Sequence, residues 1–326
     1  MIFSSTDSNA QLPPPGTTTF DHILPPSNRS PHKPSSPAFI DGITGRTITR
    51  HALRRDALRL SHTLHKHSLS RHDANAREPV IMIFSPNSMD YPILFLGAQA
   101  AGCIASLVNA SYMTDELAHQ IRDSTPFIIF VHPTLVDILE LAMKLLKAEG
   151  YEVGRVKVYS ASSEAITSVK SEVTYESYQT LYVKDSDIED DAAAPAYKGS
   201  KLTKEEIDDT PALLCYSSGT VSPTHPHLSQ HLTTPTRLAL PSVIAPSNPH
   251  TRARADPTPL TPLTQTGRSK GVITTNKNFT YLSAGWSSHM NGYEAKSGGG
   301  RGGDVYISVL PFYRESCGLG VGSGWV

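Results

Sequence analysis

Between residues 79 and 217 the chain repeats one pattern: a short apolar run, a polar turn, then a segment long enough for a helix. Val80-Ile81-Met82-Ile83-Phe84 is apolar without alternation, as a strand covered on both faces must be. Ser85-Pro86-Asn87-Ser88 supplies turn and helix-start chemistry, and a helix-length apolar segment follows to about Ala101. Ile104 to Val108, Phe127 to Val131, Val156 to Tyr159 and Ala212 to Tyr216 predict further strands. A helix is predicted from Thr114, with Asp115 and Glu116 in its first turn, and another over Thr134 to Lys147. Such alternation predicts an α/β fold with a doubly wound, mainly parallel sheet. Sheets of that kind bind ligands beyond the carboxyl ends of their strands.

Ahead of this region, residues 1–37 are Pro- and Ser-rich and predict an extended arm lying on a folded body. Thr49 is a candidate cap for a helix in which Leu53, Ala57, Leu60 and Leu64 recur at helical spacing. Arg54, Arg55, Arg59 and Lys66 fall mostly on its other side and are expected to be solvated. His62, His65 and His67 beside Lys66 read as part of that surface rather than as a nucleic-acid patch. With 29 basic against 30 acidic side chains, the chain has no bulk field to attract nucleic acid or an anionic membrane.

The most apolar stretch, Ile93 to Val108, is interrupted by Gly97, Gln99, Gly102 and Ser106, so no membrane span is expected. Cys103, Cys215 and Cys317 match no disulfide framework or zinc spacing, and no metal site is expected. The N-terminus carries no basic segment followed by an apolar run. These features predict a cytoplasmic location.

The texture breaks after Tyr216-Ser217-Ser218-Gly219-Thr220. Residues 221–265 hold 9 of the 25 prolines and 8 threonines, with no Gly, Lys, Glu, Cys, Met, Phe, Tyr or Trp. Such a segment cannot offset its ordering entropy and is expected to be a disordered insert. His225, His227 and His231 lie in it without a nearby carboxylate or thiol, and read as solvated. Pro259 to Pro262 forms a Pro-x-x-Pro, a cheap match in Pro-rich sequence. Beyond the insert stands Thr266-Gly267-Arg268-Ser269-Lys270-Gly271-Val272. Joining Thr220 to Thr266 gives Tyr-Ser-Ser-Gly-Thr-Thr-Gly-Arg-Ser-Lys-Gly-Val. Glycines there let backbone approach phosphate, hydroxyls and amides donate to its oxygens, and one lysine neutralises charge. Lys270 follows Ser269 and precedes Gly271, so this is not the Gly-x4-Gly-Lys-Ser/Thr of P-loop nucleotidases. No Gly-x-Ser-x-Gly elbow supports a hydrolase.

The joined signature resembles the phosphate-binding loop of the adenylate-forming (AMP-binding) superfamily, closest to its 4-coumarate:CoA ligase-like and acyl-CoA synthetase branch. The resemblance extends to Ala38-Phe39-Ile40-Asp41 with Gly45 to Thr49, to Phe84 to Ser88, to Gly97-Ala98 with Ala101-Gly102, to Val108-Asn109 with Glu116-Leu117, and to Val309 to Tyr313. It implies a partial AMP-binding N-terminal domain over residues 38–220 and 266–313, split by the 221–265 insert and followed by an unmatched tail, 314–326. It also implies ATP phosphate binding by Ser217, Ser218, Gly219, Thr220, Thr266, Gly267, Ser269, Lys270 and Gly271, with Arg268 turned to solvent. ATP, Mg²⁺ and coenzyme A would be the cofactors, and a small carboxylic acid the substrate. No catalytic residue of the family is retained.

Two departures accompany the match. Arg314 stands where the family has His, and Asn276 replaces the His usual after the loop. The adenine, ribose and catalytic-lysine elements have no counterpart before Val326, so the chain reads as truncated and inactive as written, with a peroxisomal address left open. Both breaks fit codon grammar: Val221-Ser222 admits GTR-AGY, Gln265 admits CAG, and Arg314-Glu315-Ser316 admits CGT-GAG-TCN, as retained introns would. The alternative is an inert or binding-only fragment from a mis-spliced gene, with the Pro-rich insert docking a partner.

Overall fold

The computed structural model describes residues 12–30, 32–70, 79–188, 193–197, 202–217 and 269–285. Contacts divide the chain into two units, Met1–Ser217 with Lys270–Val326, and Ser218–Ser269. Every helix and strand described belongs to the first. The insert 221–265, the segment 286–326 with its Gly298 to Gly303 run, Cys317 and the tail, and residues 1–11 of the arm lie outside the described residues.

The order is α1 (Thr19–Ile23), β1 (Pro37–Ile40), β2 (Thr47–Thr49), α2 (Arg50–Leu69), β3 (Val80–Phe84), α3 (Tyr91–Ala100), β4 (Ile104–Leu107) and α4 (Thr114–Ser124). Then come β5 (Ile128–Val131), α5 (Val136–Ala148), β6 (Lys157–Ser160), β7 (Ile166–Thr167), β8 (Thr174–Tyr175), α6 (Lys204–Asp209), β9 (Pro211–Ser217) and β10 (Lys270–Thr275). Residues 276–285 are helical.

Six strands form one sheet in the order β10-β9-β4-β3-β5-β6. The five from β9 to β6 are parallel, and β10 joins the edge antiparallel to β9. Because side chains alternate across a strand, each run feeds two cores. Ile81, Ile83, Ile128 and Phe130 pack with α2 and α3, whereas Met82, Phe84, Ile129 and Val131 pack with α4 and α5. All eight are fully buried, each contributing about 1.5–3 kcal/mol relative to exposure. The expected doubly wound, mainly parallel sheet is therefore observed. Gly97 lets α2 close on α3: a Cβ there would stand 2.8 Å from Cδ2 of Leu60.

Thr49 caps α2 by accepting from the Ala52 amide. Its arginines correct the expectation of a solvated face. Arg50 and Arg54 are buried and reach back to the arm, Arg50 donating to the Ile23 carbonyl at 3.0 Å and Arg54 to that of Leu24. Arg54 also lies 4.9 Å from the ring centroid of Phe20, itself fully buried. Arg55 pairs with Asp185, and Arg59 donates to the Val183 carbonyl and stacks on Tyr182. Helical periodicity shows which side is apolar; it does not show that other segments will fold over the polar side. Residues 12–24 are likewise more than extended chain, since they contain α1 and bury Phe20, Ile23 and Leu24.

Candidate functional site

The split signature meets at the carboxyl end of the parallel sheet. β9 ends at Ser217 on the same side as the ends of β3, β4 and β5, and β10 begins there at Lys270. The register opposes Lys270 to Ser217, Gly271 to Tyr216, Val272 to Cys215 and Ile273 to Leu214. Two segments 52 residues apart thus form the two strands of one hairpin neck.

β9 and its neighbour β4 are held from the side. On β9, the Ala212 carbonyl accepts from Gln99 Nε2 of α3 at 2.9 Å, a fully buried contact. Gln120 of α4 donates from Nε2 to Ser106 Oγ and the Leu107 carbonyl of β4 at 3.0 and 3.2 Å. Tyr216 Oη donates to Asp123 Oδ2 at 2.5 Å, fixing the last residue before Ser217 to α4. Burial and the Asp123 carboxylate push the Tyr216 phenol well above the ordinary tyrosine range, so it remains a donor at any physiological pH. Its ring crosses Gly271, where a Cβ would lie 3.1 Å from Tyr216 Cζ. Glycine at 271 therefore serves close packing at the neck.

Of the sequence-predicted phosphate residues, the structure brings the backbone of Ser217 and Lys270 directly opposite each other, with Ser269 and Gly271 flanking the lysine. Lys270 is exposed and Ser269 half-buried. Ser218, Gly219, Thr220, Thr266, Gly267 and Arg268 lie outside the described residues, as do His225, His227, His231 and Pro259 to Pro262. Among the described residues no group of three His, Cys, Asp or Glu side chains could hold a metal ion. No helix among them is long and apolar enough to cross a membrane.

Sequence reasoning passed over two residues. Gln99 was visible only as a polar interruption of an apolar run, and its partner is a backbone carbonyl that no motif marks. Asn276, noted only as a substitution, is 2% exposed and ties the end of β10 to two other segments, α1 and the end of α6. Its Oδ1 accepts from the Thr19 amide at 2.9 Å and from Thr19 Oγ1 at 2.8 Å, and its Nδ2 donates to the Ile207 carbonyl at 3.1 Å. Its backbone amide donates to the Thr210 carbonyl at 3.0 Å.

The family described as AMP-binding enzyme matches residues 27–223. A Humulus lupulus protein described as a probable CoA ligase is 28% identical over 232 residues, covering 71% of this chain and 36% of its own length. A peroxisomal OPC-8:0-CoA ligase of Arabidopsis thaliana is 26% identical over 195 residues, 60% of this chain and 30% of that protein. The chain thus spans about a third of the length of these relatives. Among solved structures, a red-emitting luciferase from Phrixothrix hirtus superposes with a TM-score of 0.58 at 15% identity, over 97% of this chain and 58% of that one. The luciferase-like enzyme of the mealworm Zophobas morio gives 0.56 at 14% identity, over 99% and 54%. These structures are similar in fold.

Proposed function

Because the chain belongs to the AMP-binding enzyme family, we propose that it is the N-terminal part of an AMP-forming carboxylic acid:CoA ligase, its phosphate loop divided by residues 221–265. In that reaction a carboxylate attacks the α-phosphate of ATP, pyrophosphate leaves, and the acyl-adenylate passes its acyl group to coenzyme A with release of AMP. The relatives are named as CoA ligases, which suits coenzyme A as acceptor, and a small carboxylic acid is proposed as substrate.

The observation that carries the reading is the opposition of Ser217 and Lys270 at the carboxyl end of the sheet. In this proposal Ser217, Ser218, Gly219, Thr220, Thr266, Gly267, Ser269, Lys270 and Gly271 hold the β- and γ-phosphates. The chemistry of the described part suits an anion, since an exposed ammonium group stands at the neck. Lys270 then stabilises charge developing on departing pyrophosphate. Mg²⁺ bound to ATP would neutralise part of the phosphate charge.

The divided loop is a poor anion trap as written, because phosphate capture needs consecutive amides converging on one ion. An inert or binding-only chain is the competing reading, favoured by the 45 residues between the two halves. Acid-dependent release of AMP from ATP separates the two. A reducing compartment, the cytoplasm by default, is part of the proposal, because Cys103, Cys215 and Cys317 match no disulfide framework.

The test of the site is Lys270→Ala in a chain lacking residues 221–265. Lys270 is exposed, so the melting temperature should not move. Loss of a charge-assisted contact of about 1.5–3 kcal/mol should weaken ATP binding roughly 10- to 100-fold. Unchanged ATP affinity would remove Lys270 from the phosphate site.

A further inference from the structure

A hairpin with a tight turn takes its register from that turn, but β9 and β10 are joined through residues 218–269. Their register must be fixed elsewhere. The far end of the hairpin, where Thr275 opposes Pro211, is where Asn276 sits. Its backbone amide bonds the residue before β9, Thr210, and its side chain bonds Ile207 and Thr19.

The chemistry of the contact is matched on both sides. The Thr19 amide opens α1 and, like all first-turn amides, has no partner within its helix. Asn276 Oδ1 accepts both this amide and the Thr19 hydroxyl. A neutral imidazole has one acceptor nitrogen and could not take both donors while also donating to Ile207. Thr19 is fully buried, and the arm that carries it is fastened on both sides. Gly16 donates to Asp208 Oδ1 at 2.8 Å, and Arg50 and Arg54 hold the Ile23 and Leu24 carbonyls.

We infer that the N-terminal arm is a clamp on the divided hairpin: Thr19 and Asn276 are positioning residues that hold β10, and with it Lys270, in register against β9. The role assigned to Lys270 rests on the phosphate reading above; the clamp itself is a statement about β10 and stands or falls separately.

Hydrogen exchange of the full 326-residue chain, followed by mass spectrometry, tests it. In Thr19→Val and Asn276→Ala the amides of Lys270–Thr275 should exchange about tenfold faster or more, as expected when buried hydrogen bonds holding a local unit are lost. The amides of Val80–Phe84 should keep their protection. Thr19→Ser retains both donors and should exchange like the parent. Should Asn276→Ala fail to fold, the isosteric Val and the Ser variant carry the comparison. Unchanged exchange over Lys270–Thr275, or an equal rise in Val80–Phe84, would overturn the clamp. ATP affinity of Lys270→Ala tests the phosphate reading without touching the clamp.

Discussion

His132 shows how one side chain at the carboxyl end of the sheet ties local geometry to pH. It follows β5 and starts the turn into α5, its Nδ1 accepting from the Thr134 amide at 3.3 Å and lying 2.9 Å from Thr134 Oγ1. That arrangement requires an unprotonated Nδ1, and desolvation lowers the imidazole pKa from 6.5 despite the opposing influence of Asp90. A histidine pKa depressed on folding means that the unfolded chain takes up the proton first. Its stabilisation is complete above about pH 6.5 and is lost as pH falls. His22, also lowered by burial, acts in the same direction. The melting temperature should fall between about pH 7.5 and 5.5, and His132→Asn, which keeps a capping oxygen, should show a smaller fall. A steeper fall in the variant would refute the assignment. The residues that could be read from sequence alone are those whose role is local, such as Thr49 as a cap. Gln99, Asn276 and Arg54 act on backbone groups distant in the chain, and nothing in their sequence neighbourhood announces the partner.

At the scale of elements, the five parallel strands and the three helices α3, α4 and α5 follow the sequence expectations to within a few residues, because burial on both faces forces unbroken apolar runs, whereas the short β7, β8 and α6 were not expected. The helix expected from Thr134 begins with a single tighter turn, Pro133–Leu135, before α5. The arm was the less legible element. Its composition speaks for extended chain, and only long-range contacts to α2, α6 and Asn276 make the described part a docked segment. Those contacts make Phe20 a sensitive point. Phe20→Ala removes a fully buried ring beneath the Arg54 guanidinium, and should cost about 3–5 kcal/mol in a chemical denaturation series. A loss below about 1 kcal/mol would mean that the arm is not part of the cooperative unit.

In the molecule as a whole, a doubly wound sheet, a family match over residues 27–223 and a hairpin neck converge on one proposal. That proposal is that residues 217–220 and 266–271 would make up a single phosphate loop, divided by the segment between them. The proposed loop rests on two halves that keep their residue order in the sequence; the pairing of β9 with β10 was not legible there, since pairing across residues 218–269 leaves no local signal. Closing a shorter connection costs less entropy, by about 0.6 kcal/mol for each halving of length, and it brings the amides of the two halves within reach of one anion. ATP should therefore be titrated into the 326-residue chain and into the same chain lacking residues 221–265. A single divided loop predicts that the deletion tightens ATP binding about tenfold or more; equal affinity in the two chains would contradict it.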